Sequence, residues 1–524
     1  MVAFCCIVLT GGWILGRYAM TMALPFPDTH TYLEVGRNWM EGRGFVTRFN
    51  VVFGWSGTLS HPALAYYNPL SGILLGMLWK LSTSFGIFAV ATTVIPAAVN
   101  ALLLGIIVGR SAGHGPGLVT AAAYFGLPSS IVNVSTVGLE HLMVTICLVL
   151  VWLLIDRDRT KIWPWLFAGF VIGVGCLIKV TVVAAYAAVV IGLVVTRSGS
   201  IKERIVAAFR PSFLCLAGLA AVLVPFQIAC ISSVGSIYPE YPHMAKLWGL
   251  GKLYGGEIIQ ASPAVRPYLH QLPSIGQWVL NVLDNFRQLG KVLALDLGLL
   301  GLPLLALPLF WSRTSEAEKY LFLLGGVFGI LYAVAYYWYP FSVDLFSPLR
   351  YILHTSVFWL PVSVAALWRL TERIVAHRVW MTALATGLCL VGMVPLFVGL
   401  WHIQRSASQF PEPLVAAAER AMKAIQEITS PDDLVAIQGG SQEICMSLFV
   451  ERPIVALPEN AMNTVENLRR LTEIYRPYLV VPGSQSPLWY VMPQLGYVPV
   501  RVPFLAPAFG YDIVFIRAQQ TPVK

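Results

Sequence analysis

Pro25-Phe-Pro27-Asp28-Thr-His-Thr-Tyr32-Leu-Glu34-Val-Gly36-Arg37-Asn-Trp39-Met-Glu41-Gly42-Arg43-Gly44-Phe45 follows directly on the first apolar run of the chain, residues 2–22. The run before it is long enough to cross a bilayer, so Asp28 stands where a helix leaves the hydrocarbon, a place where a charge is costly without a purpose. Beyond it, Tyr32, Val35, Gly36 and Trp39 recur at helical spacing, with Glu34, Arg37 and Glu41 on another face. This pattern predicts an amphipathic helix lying on the membrane surface, ended by Gly42 and Gly44. An acid at the water–lipid boundary suits chemistry on a lipid-linked substrate; an ordinary exposed loop aspartate beside an interfacial helix is the alternative.

The rest of the chain supports a membrane setting. Of 524 residues 57% are hydrophobic and only 12% charged, and the mean hydropathy is +0.70. Such a composition requires several membrane spans. The net charge of +9 has no Lys/Arg block behind it, so it reads as topological bias and no nucleic-acid partner is expected. The 8 cysteines are scattered, mostly in or beside apolar runs, and form neither a CxxC nor a metal-like spacing. The N-terminus lacks the basic start of a signal peptide and is read as a span.

After the first span comes a long mixed loop, 23–86, with a second juxtamembrane helix starting at Asn68-Pro69-Leu70. Further spans are expected at about 87–109, 116–134, 140–155, 162–178, 181–196, 212–231, 292–311, 319–338, 351–369 and 379–401, about eleven in all. Arg110, Arg157, Arg197, Lys202, Arg313, Lys319, Arg369 and Arg373 then share one side, which the positive-inside rule makes cytoplasmic. The loop bearing Asp28, a Tyr-, Pro- and Trp-rich loop of about 232–291, and the tail from 402 fall outside. The tail alternates strand-like runs (434–438, 453–457, 478–481, 498–504, 512–517) with helical ones (411–428, 441–450, 460–475, 487–495), which implies a small α/β domain over 402–524. Gly439-Gly440 is read as a plain turn.

Among the acids near the outer face, Asp28 and Glu140 stand out, each at the outer end of a predicted span. Two carboxylates facing one aqueous pocket could share base and orienting roles or hold a divalent metal. Glu140 is also well placed simply to meet the dipole of the helix it opens. Arg350, in Ser347-Pro-Leu-Arg350-Tyr351-Ile-Leu-His354, could grip a phosphate bidentately or snorkel among headgroups. Lys179, at an outer turn, is either a second phosphate contact or an interfacial lysine. Asp156-Arg-Asp158 has the DxD pattern of metal-using sugar transferases but falls on the cytoplasmic side, and His61 and His141 lack ligand spacing.

These segments together resemble the GT-C superfamily of integral membrane glycosyltransferases, which includes aminoarabinose transferases, protein O-mannosyltransferases and arabinosyltransferases. Pro27-Asp28 through Glu34, then Glu41 to Phe45, resembles the family's first external loop. Asn68-Pro69-Leu70 resembles its PPL element, with Asn for the first Pro; Gly138-Leu-Glu140 resembles its GxE element; Arg350-Tyr351 resembles its late RY element. The resemblance implies a mostly α polytopic GT-C fold over 1–401 and an extracytoplasmic α/β domain over 402–524. It implies a sugar donor on a polyprenyl phosphate, an external acceptor (glycan, lipid or protein) and a bacterial cytoplasmic membrane with the C-terminal domain outside. By position Asp28 matches the family's catalytic aspartate and Glu140 an acid of variable role. Arg350, with Lys179, Tyr32, Asn68 and Tyr351, falls to donor and phosphate binding. A divalent metal is left open; if present, Asp28 and Glu140 would hold it. A lipid-glycan flippase and an inactive glycan-binding relative are the alternatives to a transferase.

Overall fold

The computed structural model describes residues 2–22, 27–44, 46–47, 49–51, 61–62, 69–82, 84–135, 139–155, 161–234, 275–335, 346–374, 378–407, 414–438, 451–457, 469, 472–473, 476–483, 486–503 and 512–518. They fall into two compact units: one holds 1–20, 86–229 and 275–405, the other 21–85, 230–274 and 406–524.

The first unit is helical. Its elements are α1 (Val2–Met22), α4 (Phe85–Ala89), α5 (Ile95–Ala112), α6 (His114–Gly126), α7 (Pro128–Ser135), α8 (Glu140–Leu154), α9 (Trp163–Ile178), α10 (Ala184–Val195) and α11 (Ile201–Val234). After these come α12 (Ile275–Leu297), α13 (Leu307–Phe310), α14 (Glu316–Ala335), α15 (Phe346–Ile374) and α16 (Arg378–Ala407). Among the described residues seven helices are long and apolar enough to span a membrane, eight if the bent α6–α7 pair counts as one. The helices over 140–154, 163–178 and 180–195 sit where spans are expected but are shorter, so a count of eleven does not follow from length and composition.

The α15 helix is the central post. Ile352, Leu353, Val357, Phe358, Leu360, Val362 and Val364 along it are all buried. Helix α11 is peripheral, and Ile205, Val206, Phe209 and Phe213 are exposed on it, as suits a face toward lipid. Glycines allow the closest crossings: a Cβ at Gly218 would strike the Leu166 carbonyl, so α9 and α11 meet almost backbone to backbone. The 53° bend between α6 and α7 falls at Leu127, before Pro128. Pro128 interrupts the helical ladder, and Asp296 of α12 accepts from Ser129 N and Ser129 Oγ, both at 2.7 Å, satisfying groups freed by the break. Asp296 is thus used as a cap between helices.

Two sequence expectations are corrected here. Residues 275–291, read as loop, form the first part of α12. They carry Asp284, Asn285, Arg287 and Lys291 at amphipathic spacing and no continuous apolar run, so hydropathy alone passes over them. The span expected at 292–311 is not one α-helix: after Leu297 a 3₁₀ segment, Gly298–Ala306, takes over, starting at a left-handed glycine and containing Pro303.

Among its described residues the second unit holds α2 (Pro27–Met40), α3 (Pro69–Leu81), α17 (Leu414–Glu427), α18 (Leu488–Gln494) and eight strands: β1 (Val46–Thr47), β2 (Phe49–Val51), β3 (His61–Pro62), β4 (Val435–Gln438), β5 (Ile454–Leu457), β6 (Leu479–Val481), β7 (Tyr497–Arg501) and β8 (Ile513–Arg517). Helix α2 is the amphipathic helix predicted from Asp28 onward. Six strands form one sheet in the order β2-β5-β4-β6-β8-β7, the first four parallel and the last two antiparallel. Five of these match the strand-like runs of the tail. The sixth, β2, comes from the long loop after the first span and pairs Phe49 to Val51 with Ile454 to Ala456. Side chains alternate across the sheet: Val435, Ile437 and Val481 pack on Met422 and Ile425 of α17, while Ala436, Val480 and Phe515 pack on Val491 and Met492 of α18. The helical runs expected at 441–450 and over most of 460–475 lie outside the described residues.

Candidate active site

Three helix ends meet in the first unit. Glu140 opens α8 with an acidic first turn, a position the helix dipole favours. Lys179 closes α9: its backbone turns extended and a 3₁₀ turn, Val180–Val183, begins at once. Arg350 lies early in α15. Arg350 Nε and Lys179 Nζ both donate to the same oxygen, Oε1 of Glu140, at 2.7 and 2.8 Å. Glu140 is fully buried and Arg350 nearly so. The Lys179 side chain keeps 18% exposure, which makes it the member a ligand arriving from outside would reach first. Tyr351 lies alongside, with Lys179 Nζ and Arg350 Cζ each 5.4 Å from its ring centroid.

The charge balance of this cluster gives it its chemistry. One carboxylate oxygen faces two cations in a low-dielectric surround, where charges are costly unless paired. An anion bound beside Lys179 and Arg350 would meet both cations. Guanidinium and ammonium groups are also the side chains suited to a phosphate.

A rigid polar bed lies behind Glu140. The His141 ring bridges Tyr124 OH at 2.7 Å and the Ser130 carbonyl at 3.1 Å. Asn100 Nδ2 donates to Tyr124 OH at 3.1 Å and to the His141 carbonyl at 2.8 Å, and Thr145 Oγ1 donates to Asn100 Oδ1 at 2.7 Å. The network closes if His141 Nε2 donates to Ser130 and Nδ1 accepts from Tyr124. His141, weighed above as a ligand, is therefore spent on tying α5, α6, α7 and α8 together. Asn133 of α7 donates to the Arg350 carbonyl at 3.1 Å and fixes the start of α15. At the other end of α15, Arg369 pairs with Glu318 at 2.6 Å. Nineteen residues separate Arg350 from Arg369, a helical rise of about 28 Å, close to the thickness of the hydrocarbon layer.

Of the residues singled out in the sequence, Glu140, Lys179, Arg350 and Tyr351 come together in this cluster. Asp28 lies in the first turn of α2 and Tyr32 is half-buried one turn on, both in the second unit. The Asp28 side chain, Asn68, the DxD at 156–158 and Asp344 lie outside the described residues. Sequence reasoning gave no role to His354, Tyr332 or Asn100. His354 lies one turn below Arg350 on α15, and its Nδ1 meets Tyr332 OH at 2.7 Å. The four-residue spacing from Arg350 is the signal that could have marked His354; nothing in the sequence marks Tyr332 or Asn100.

Glu140 Oε1 already faces two cations, so a metal ion held by Glu140 would be a third positive centre beside them, an electrostatically unfavourable arrangement. Among the described residues no group of three or more His, Cys, Asp or Glu side chains could hold a metal ion.

No protein-family model matches this sequence, and no curated protein matches it. Solved structures do. ArnT from Cupriavidus metallidurans, bound to undecaprenyl phosphate, superposes with a TM-score of 0.58 at 13% identity, over 99% of this chain and 98% of its own. The Archaeoglobus fulgidus oligosaccharyltransferase, in complex with Zn and sulfate, superposes with a TM-score of 0.50 at 13% identity, over 90% of this chain and 67% of its own. The long apolar helices, the mixed sheet built partly from the tail and these two superpositions give one conclusion: this chain shares the fold of the ArnT and oligosaccharyltransferase structures, as the GT-C resemblance of its sequence implies.

Proposed function

We propose that the protein is a glycosyltransferase of the bacterial cytoplasmic membrane that moves a hexosyl or pentosyl group from a polyprenyl-phosphate donor to an extracytoplasmic glycan, lipid or protein acceptor. The observation that carries this reading is the pair of cations on one carboxylate oxygen at converging helix ends. The fold likeness to an ArnT bound to undecaprenyl phosphate supports it. In this reading Lys179 and Arg350 hold the donor phosphate, Tyr351 lines the site, and Glu140 orients the two cations. Tyr32 and Asn68 are assigned to donor binding by the sequence resemblance, and Asp28 to the general base.

The reaction is a single displacement. Asp28 takes the proton of an acceptor hydroxyl as its oxygen forms a bond to the anomeric carbon. The bond from that carbon to the phosphate oxygen breaks, and the electron pair leaves with polyprenyl phosphate. Lys179 and Arg350 stabilise the charge that builds there, so the leaving group needs no proton. Attack opposite the departing phosphate inverts the anomeric configuration. A flippase would place its ionisable groups near the bilayer midplane. Here the buried ion pairs Arg350–Glu140 and Arg369–Glu318 sit toward the two ends of α15, and Asp296 is taken up by Ser129.

Purified protein incubated with a panel of radiolabelled polyprenyl-phosphate sugars should release label from the lipid fraction. Asp28→Asn should release none. Full transfer by that variant would remove Asp28 from the mechanism. Lipid binding without transfer from any donor would favour a glycan-binding relative without catalysis.

A further inference from the structure

Helix α2 is held from behind by two parts of its own unit. On one side Gly36 lies against α3 so closely that a Cβ there would meet the Gly72 carbonyl and fall 2.7 Å from Gly76 Cα. On another, Arg37 leaves its own helix and pairs with Glu451 of the tail. The neighbouring acids on the helix have other partners: Glu34 accepts from Asn38 and Glu41 pairs with Arg43. The Arg37 side chain is only 14% exposed, so the carboxylate of Glu451 acts on a charge that is largely withdrawn from water.

Glu451 is prepared for the contact. Its φ of 52° lies in the left-handed region, which strains a residue with a side chain. The next residue anchors the turn: Arg452 donates through Nη2 to the carbonyls of Gln426 and Thr429 at 3.1 and 2.9 Å, and through Nε to Thr429 Oγ1 at 3.2 Å. These carbonyls close the C-terminal end of α17. Pro453 and β5 follow, and β5 pairs with β2, the strand that follows α2 in sequence. One short tail segment, 451–457, thus grips both α2 and β2. Nine residues, two and a half helical turns, separate Asp28 from Arg37, so the two positions lie on opposite sides of α2.

We propose that Arg37 and Glu451 are positioning residues through which the tail's sheet sets helix α2, and with it Asp28, in the register that transfer requires. This rests on the reading of Asp28 given above. The strained turn directs a carboxylate to Arg37.

Glu451→Gly separates this from a structural role, because glycine relieves the left-handed turn while removing the anion. Thermal stability of the full chain should stay level or rise. The turnover number should fall about 10- to 100-fold, with KM for the polyprenyl-phosphate sugar changed less than about twofold. Arg37→Glu should fall as far, and Arg37→Glu combined with Glu451→Arg should recover most of the loss. Wild-type turnover in Glu451→Gly, or a double reversal as poor as the single variants, overturns the proposal. A second readout does not depend on Asp28. Spin labels at exposed Trp39 on α2 and Tyr490 on α18, in a chain without native cysteines, should give one narrow distance that broadens in Glu451→Gly. An unchanged distribution overturns the positioning role even if Asp28→Asn is inactive. A broadened one with active Asp28→Asn keeps the brace and removes only the base.

Discussion

Replacing Glu140 by Gln tests the charge logic of the buried cluster directly. Each cation lies within 2.8 Å of Glu140 Oε1, which is worth about 6 kcal/mol of gross attraction at an effective dielectric of about 20, most of it offset by desolvation. Because both donate to one atom, Arg350 Nε and Lys179 Nζ are roughly 5.5 Å apart at most, and without the carboxylate they repel by about 3 kcal/mol on the same scale. The expected cost of Glu140→Gln to the lipid-free protein is therefore about 3–5 kcal/mol, the range seen when one partner of a buried pair is removed. Polyprenyl phosphate should offset part of that cost, because an anion stabilises the state it binds and here supplies the missing charge. Melting in detergent, scanned with and without the lipid, should show a lower midpoint for the free variant and a larger lipid-induced rise than in wild type. An unchanged midpoint with lost transfer would refute this reasoning and return Glu140 to a direct chemical role.

Lys179→Met should leave a neutral Glu140–Arg350 pair, keep stability within about 1 kcal/mol, and weaken polyprenyl-phosphate binding at least tenfold in a lipid competition assay. Gly36→Ala should lower stability by about 1–3 kcal/mol, since the added methyl meets backbone on α3, and a normal unfolding midpoint would argue against the close α2–α3 contact. Asp296→Asn should cost about 1–3 kcal/mol, because at least one Ser129 donor loses its acceptor at the α6–α7 bend; thermal melting of the full chain reads this. Tyr497 donates to the Pro477 carbonyl at 2.6 Å, and burial pushes its hydroxyl up to about 12 from an ordinary 10.0. A raised folded value means the tail keeps this stabilisation below about pH 10 and loses it as pH rises toward 12, so Tyr497→Phe should flatten the stability profile over that interval.

Much of this architecture is legible in residue order. Apolar runs locate the membrane helices because burial in lipid tolerates few charges. The 3.6-residue recurrence from Tyr32 to Trp39 finds α2, and the strand-like runs of the tail find five of its strands. Glu140, Lys179 and Arg350 could be singled out because a charge beside an apolar run is rare enough to require a reason. Their meeting on one carboxylate oxygen is not legible: contacts across 39 and 210 residues depend on how helices cross, which glycine approaches and the α6–α7 bend decide. The same holds for β2, only three residues long and identified by the edge of β5 that it covers. Local pattern reports what each segment must bury; only packing decides which segments bury it together.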